Sequence, residues 1–111
     1  MTEPAAPGLA GLAPGMARDA AVVLVTLATT RPARLGCYGG PAATPAIDAL
    51  AARGNRFDAA IAVAPITLPA HASILTGLYP PSNGARSNGE YRLGPGPATL
   101  AELLRATGRK T

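Results

Sequence analysis

Residues 20–27 read Ala20-Ala21-Val22-Val23-Leu24-Val25-Thr26-Leu27. The run is short, continuous and β-branched, as expected of a central parallel strand covered on both faces. After it comes a loop rich in Pro and Gly, through Pro41. Thr44-Pro45 then has the form of an N-cap with Pro at the first helical position. Ile47, Leu50 and Ala51 fall at helical spacing, and Gly54 stands where a left-handed cap would end that helix. Phe57 to Val63 reads as a second strand, with Phe57, Ile61 and Val63 on alternate positions. Pro69 to Leu75 reads as a short helix closed by Gly77. Tyr79 to Pro97 is turn-rich, with turns at Asn83-Gly84 and Asn88-Gly89. Thr99-Leu100-Ala101-Glu102 matches a capping box. Leu100, Leu103 and Leu104 share one face of the helix it opens, and Gly108 closes it. The order strand, helix, strand, helix, helix predicts an α/β domain. Alternation calls for another strand after Gly108, where only Arg109-Lys110-Thr111 follow. The pattern therefore reads as the opening of a larger α/β domain.

Working outward, residues 1 to 18 hold Pro4, Pro7, Gly8, Gly11, Pro14 and Gly15 without periodicity, and are expected to be a disordered leader. The partial domain is expected over 19–111. The leader lacks a basic stretch followed by an apolar core, so no signal peptide is read and the default compartment is the cytoplasm. A start at Met16 would place Arg18 before the apolar run in the outline of a signal sequence, but the strand reading accounts for that run better. No apolar run approaches the ~20 residues of a membrane helix.

Composition narrows the classes. The chain has 111 residues and a formal net charge of +4. Alanine accounts for 25 residues, while Leu, Ile, Val and Phe together number 22, so the core is modest. Gly 13 and Pro 12 recur throughout, against a coiled coil or a helical bundle. Cys37 is the only cysteine, which excludes an internal disulfide scaffold. Nine Arg and one Lys are scattered, with no basic stripe and few aromatics, so nucleic acid is not an expected partner. The positive balance suits an anionic substrate.

Thr67 follows the apolar segment Ala64-Pro65-Ile66 and precedes Leu68-Pro69 and a short helix. Two readings of its hydroxyl stand side by side. It caps the helix, or it faces an anion held by helix N–H groups and attacks that anion's central atom. Attack would need a metal to lower the hydroxyl's pKa.

The stretch Ala64-Pro65-Ile66-Thr67-Leu68-Pro69-Ala70-His71-Ala72-Ser73-Ile74-Leu75-Thr76-Gly77-Leu78-Tyr79-Pro80-Pro81 resembles the nucleophile segment of the sulfatase and alkaline-phosphatase superfamily. Upstream, Leu35-Gly36-Cys37-Tyr38-Gly39 is similar to the family's L-G-C-Y-G. Thr44 to Gly54 is similar to its T-P-N-(I/L)-D-x-L-A-x-x-G helix, and Pro97 to Leu104 to its P-T-L-A-E-L-L. The segments occur in the family's order, from about residue 21 onward. The resemblance implies a doubly wound α/β fold, divalent metal (calcium or zinc) at the strand C-termini, and a covalent sulfo- or phospho-enzyme. Its substrate would be an anionic sulfate or phosphate ester.

Carried over residue by residue, Thr67 stands at the nucleophile and at a metal ligand. Sulfatases place Cys or Ser there, within C/S-x-P-x-R, and oxidise it to formylglycine. Thr67 would yield a ketone instead of that aldehyde, and the motif's Arg is His71. A direct Thr nucleophile is similar to the nucleotide pyrophosphatase/phosphodiesterase branch, which reads T-F-P-N-H. In that branch an Asn after the helix binds a non-bridging oxygen, and Asn88 stands in its place. Read without the resemblance, Asn88 is a turn residue before Gly89. Family members read T-(I/L)-D-T-x-R-x-D after the first strand, where Thr26-Leu27-Ala28-Thr29-Thr30-Arg31-Pro32-Ala33 stands here. Ala28 replaces the ligating Asp and Ala33 the second Asp, and a methyl group cannot coordinate a hard cation. Hence this chain alone is not expected to hold the metal.

His71, the only histidine, is four residues from Thr67 and on its helical face. It contacts a substrate oxygen, or it is a half-buried polar residue. Cys37 is expected to be a small buried hydrophobe, and Asp48 and Glu102 solvated helix positions, with Glu102 reaching its cap. Two functions follow: an N-terminal part of a sulfatase-like hydrolase, inactive in isolation, or a non-catalytic remnant or interaction module of the same fold. An unfinished sheet would expose an edge that favours self-association.

Overall fold

The computed structural model describes residues 20–111, so the expected leader over 1–18 lies outside the described residues. The chain divides into two compact units, one ending at Asp58 and the other spanning Ala59–Thr111.

In the first unit, residues 20–27 have no strand pairing, so the strand expected of the apolar run is not confirmed here. Val22 to Val25 are exposed, Val23 by 82%. The physical reason is that a parallel strand exists only through hydrogen bonds to neighbouring strands, and β-branched composition supplies none of them. A turn follows, with Thr29 at φ 58°, unusual for a β-branched residue. The Pro/Gly loop is more ordered than its composition implied. It contains two single 3-10 turns, Pro32–Arg34 and Gly36–Tyr38. A lone bridge pairs Leu35 with Ala42.

Helix α1 spans Pro45–Arg53, with Thr44 as its N-cap residue and Pro45 first, as expected. Thr44 does not cap with its side chain. Its Oγ1 accepts from the Gly36 N–H at 2.9 Å and donates to Asp48 Oδ1 at 2.9 Å. Asp48 is therefore not a solvated helix position. It also accepts from the Cys37 N–H at 2.7 Å, so one carboxylate ties the Gly36–Tyr38 turn to the first turn of α1. Gly54 ends α1 at φ −124°, extended rather than left-handed, which corrects that expectation. Arg56 pairs with Asp58 at 2.8 Å, donates to the Cys37 carbonyl and lies 5.2 Å from the Tyr38 ring centroid. The Asp58 carboxylate holds the Arg56 guanidinium pKa above its ordinary value. Cys37 is half-buried rather than buried.

In the second unit, residues 57–63, read as a strand, have no strand pairing over the part that falls here, and Ile61 is 90% exposed. Alternation of side chains was present, but no partner strand completes it. Helix α2 spans Thr67–Thr76 and ends at Gly77, φ 69°, whose N–H bonds to the Ser73 carbonyl at 2.8 Å. The close at Gly77 is the one expected, whereas the helix begins at Thr67, two residues before the expected Pro69, because Ile66 already accepts from the Ala70 N–H. A one-turn helix, α3, spans Pro80–Asn83 within the turn-rich stretch. Helix α4 spans Leu100–Ala106 and is opened by the expected capping box. Glu102 N donates to Thr99 Oγ1, and the Thr99 N–H and hydroxyl both donate to Glu102 Oε2. α2 packs beside both α3 and α4. Among the described residues the buried apolar side chains are those of Ala72, Ala85 and Pro69. No helix among them is long and apolar enough to cross a membrane.

Candidate functional site

The site is built on the start of α2. Ile66, extended at φ −123° and ψ 151°, turns the chain into the helix, and its carbonyl accepts from the Ala70 N–H at 3.2 Å. Thr67 is thus the first helical residue and not the cap, which sets aside the capping role for its hydroxyl. It is exposed. Pro69 follows in the first turn, where the absence of an N–H costs nothing because no carbonyl awaits it.

Asn88 reaches the same helix end. Its Oδ1 accepts from the Leu68 N–H at 2.9 Å, although the two residues are twenty positions apart. That N–H belongs to the second helical residue and has no intrahelical acceptor. Asn88 therefore caps α2 from outside and brings its amide next to Thr67. With Oδ1 engaged by the Leu68 N–H, the Asn88 side chain retains its NH2 as a donor.

His71 Nδ1 lies 2.8 Å from the Thr67 carbonyl oxygen. A carbonyl only accepts, so Nδ1 carries the hydrogen and the ring is anchored over the first turn. The ring is half-buried. The three expected residues thus converge: Thr67 and His71 through the helix repeat, Asn88 through a loop.

The helix end is a weaker anion cradle than sequence alone implied. Pro69 has no N–H and the Leu68 N–H is already paired, so two of the first-turn donors are withdrawn from a ligand. Ala28 offers a methyl group at the expected ligand position, and no group of three or more His, Cys, Asp or Glu side chains converges among the described residues.

Beside α2, a groove of about 350 Å³ is lined by Ile61, Val63, Ala70, Ser73, Ile74 and Tyr79, among others, and does not include Thr67, His71 or Asn88. Sequence reasoning missed Asn83. It is 1% exposed and makes three side-chain hydrogen bonds, yet in sequence it is one more Asn before a Gly.

Comparison with known proteins gives the class first. The Sulfatase family model matches residues 20–111, and the chain belongs to that family of hydrolases. The family's fold is α/β, although no strand forms among the described residues. Mouse steryl-sulfatase is 36% identical over 88 residues, covering 69% of this chain and 14% of its own length. An ulvan-active sulfatase of Formosa agariphila is 37% identical over 91 residues, covering 81% of this chain and 18% of its own. An uncharacterised Escherichia coli sulfatase is 44% identical over 55 residues, covering 49% of this chain and 11% of its own. The chain therefore spans less than a fifth of the length of these relatives. No solved structure matches it.

Proposed function

We propose that this chain carries the nucleophile segment of a sulfatase-like hydrolase acting on sulfate or phosphate esters, with Thr67 as the attacking residue. One observation carries the reading: the exposed Thr67 opens α2 with the Asn88 amide held on the very next backbone N–H. Thr67 Oγ would bond to sulfur or phosphorus while the bond to the leaving alcohol breaks and the hydroxyl proton passes to a base. Water would then release inorganic sulfate or phosphate and restore the hydroxyl. The Asn88 NH2 would bind a non-bridging oxygen, and His71 would hold the first turn and offer its ring to the substrate. Two relatives are named for steryl and ulvan substrates, so the sulfate ester is what their names share.

Ala28 supports a second reading, a non-catalytic module of the same fold, because it cannot supply the oxygen donor expected there. In either case the isolated chain does not turn over ester. Titration with p-nitrophenyl sulfate and p-nitrophenyl phosphate, followed by NMR, separates the two. The first reading expects amide shifts at Thr67, Leu68 and Asn88 that the Asn88→Ala variant abolishes. No shift at these residues favours the module. Measurable release of p-nitrophenol with added calcium or zinc overturns the expected inactivity.

A further inference from the structure

Helix α2 is gripped at two points by one stretch of chain. At the first, Asn88 Oδ1 accepts from the Leu68 N–H at 2.9 Å. At the second, Asn83 Nδ2 donates to Ser73 Oγ at 3.3 Å. Leu68 and Ser73 are five residues apart, about 7.5 Å along a helix rising 1.5 Å per residue. The segment between Asn83 and Asn88 spans the same interval from outside.

Asn83 is the root of this clasp. Its Nδ2 also donates to the Leu78 carbonyl at 3.0 Å, and its Oδ1 accepts from the Ala85 N–H at 2.9 Å. Its backbone carbonyl accepts from the Gly94 N–H at 3.0 Å, which closes the base of loop 85–93. Gly84 passes beneath at φ 86°, where an added Cβ would stand 3.4 Å from both the Arg92 carbonyl and the Gly94 nitrogen. Asn83 is 1% exposed and Ala85 is fully buried, so water does not compete for these bonds. The two ends of the loop are thus fastened at one buried residue, Asn83, which holds Ala85 by its side chain and Gly94 by its backbone carbonyl, and the far side of the loop carries Asn88.

We propose that Asn83 is a positioning residue for the Thr67 site: by joining Ser73, Leu78 and Ala85 it sets the root of the loop that delivers Asn88 to the start of α2. This rests on the reading of Thr67 and Asn88 as site residues. Asn83 itself touches no substrate. Its effect is to make the Asn88 amide part of a frame fixed to the helix, so that the residue beside Thr67 is pre-placed before a ligand arrives.

The Leu68 amide reports this directly. Its N–H has no acceptor within the helix, so its protection from hydrogen exchange comes from Asn88. Exchange is measured by NMR on the full chain, with Asn88→Ala as the uncapped reference. Asn83→Ala is expected to speed Leu68 exchange about three- to tenfold, the factor one net hydrogen bond is worth, toward the Asn88→Ala rate. The amides of Ala72 to Leu75, inside α2, keep their protection in both variants. A merely structural role would instead release all of these amides together.

Should Asn83→Ala unravel α2, the milder Ser73→Ala variant decides, since it removes only the acceptor at the second grip. It is expected to speed Leu68 exchange selectively. Unchanged Leu68 exchange in the variant that keeps α2 folded overturns the proposal. So does a wild-type chain whose Leu68 exchanges as fast as in Asn88→Ala. The exchange result stands whether or not any ester binds, so failure here and failure of the functional reading are distinguishable.

Discussion

Gly36 has no room for a side chain. A Cβ there would lie 2.5 Å from Asp48 Oδ2, while the same carboxylate accepts from the Cys37 N–H and the Thr44 hydroxyl. Gly36→Ala is therefore expected to push Asp48 off its partners, and Asp48→Ala to remove the acceptor outright. Hydrogen bonds to a charged acceptor are worth roughly 1.5–3 kcal/mol, so the Cys37 amide should exchange about tenfold faster or more in Asp48→Ala. An unchanged Cys37 amide in that variant would show that the turn holds without the carboxylate. Asp48 was legible in sequence only as a polar position on a helix, because its two-way role depends on a turn eleven residues upstream. Thr67 and His71 were legible because one helical repeat brings them together. The spacing of Asn88 was legible only through resemblance, since nothing local predicts an amide reaching back twenty residues.

At the scale of elements, the helices were readable because their start and stop signals are local. The capping box of α4 forms as written, and its hydrogen bonds from Thr99 hold the Glu102 carboxyl below its usual pKa. A depressed carboxylate stabilises the fold above its ordinary pKa and ceases to do so as pH falls through the depressed value. Helicity at 100–106 is thus expected to decline as the solution becomes acidic past the usual glutamate range. Glu102→Gln should flatten that dependence, as followed by Cα chemical shifts; an identical pH profile in the variant contradicts the assignment. Gly77 ends α2 at φ 69° with nothing within 4 Å of a would-be Cβ, so its requirement is conformational and not steric. Gly77→Ala should cost about 1–2 kcal/mol, seen as faster exchange in the last turn of α2. The strands are not confirmed among the described residues for the opposite reason: β-branched, alternating sequence prepares a strand, but only a neighbouring strand makes one.

At the scale of the molecule, the core among the described residues is too small to act as one. Among the described residues the buried apolar side chains are small, while Val22 to Val25, Leu27 and Ile61 stay exposed. Cooperative unfolding needs a common core whose loss exposes everything at once. A thermal melt followed by circular dichroism should therefore be broad, and a sharp transition would show a domain complete in itself. The exposed run is also expected to draw copies together, visible by light scattering as mass rising with concentration. Val23→Lys with Val25→Lys should return the chain to a monomer; association that persists places the contact elsewhere. Sequence alone determined the start of α1 at Pro45, the capping box of α4, the close of α2 at Gly77, the family and the nearness of His71 to Thr67, because each is carried by neighbours within a turn or by a motif. Tertiary structure alone decided that Asn88 caps α2, that Asn83 roots its loop, and that the apolar runs stay unpaired. Those outcomes depend on which distant groups meet, and hydrogen-bond partners twenty residues apart leave no periodicity to read.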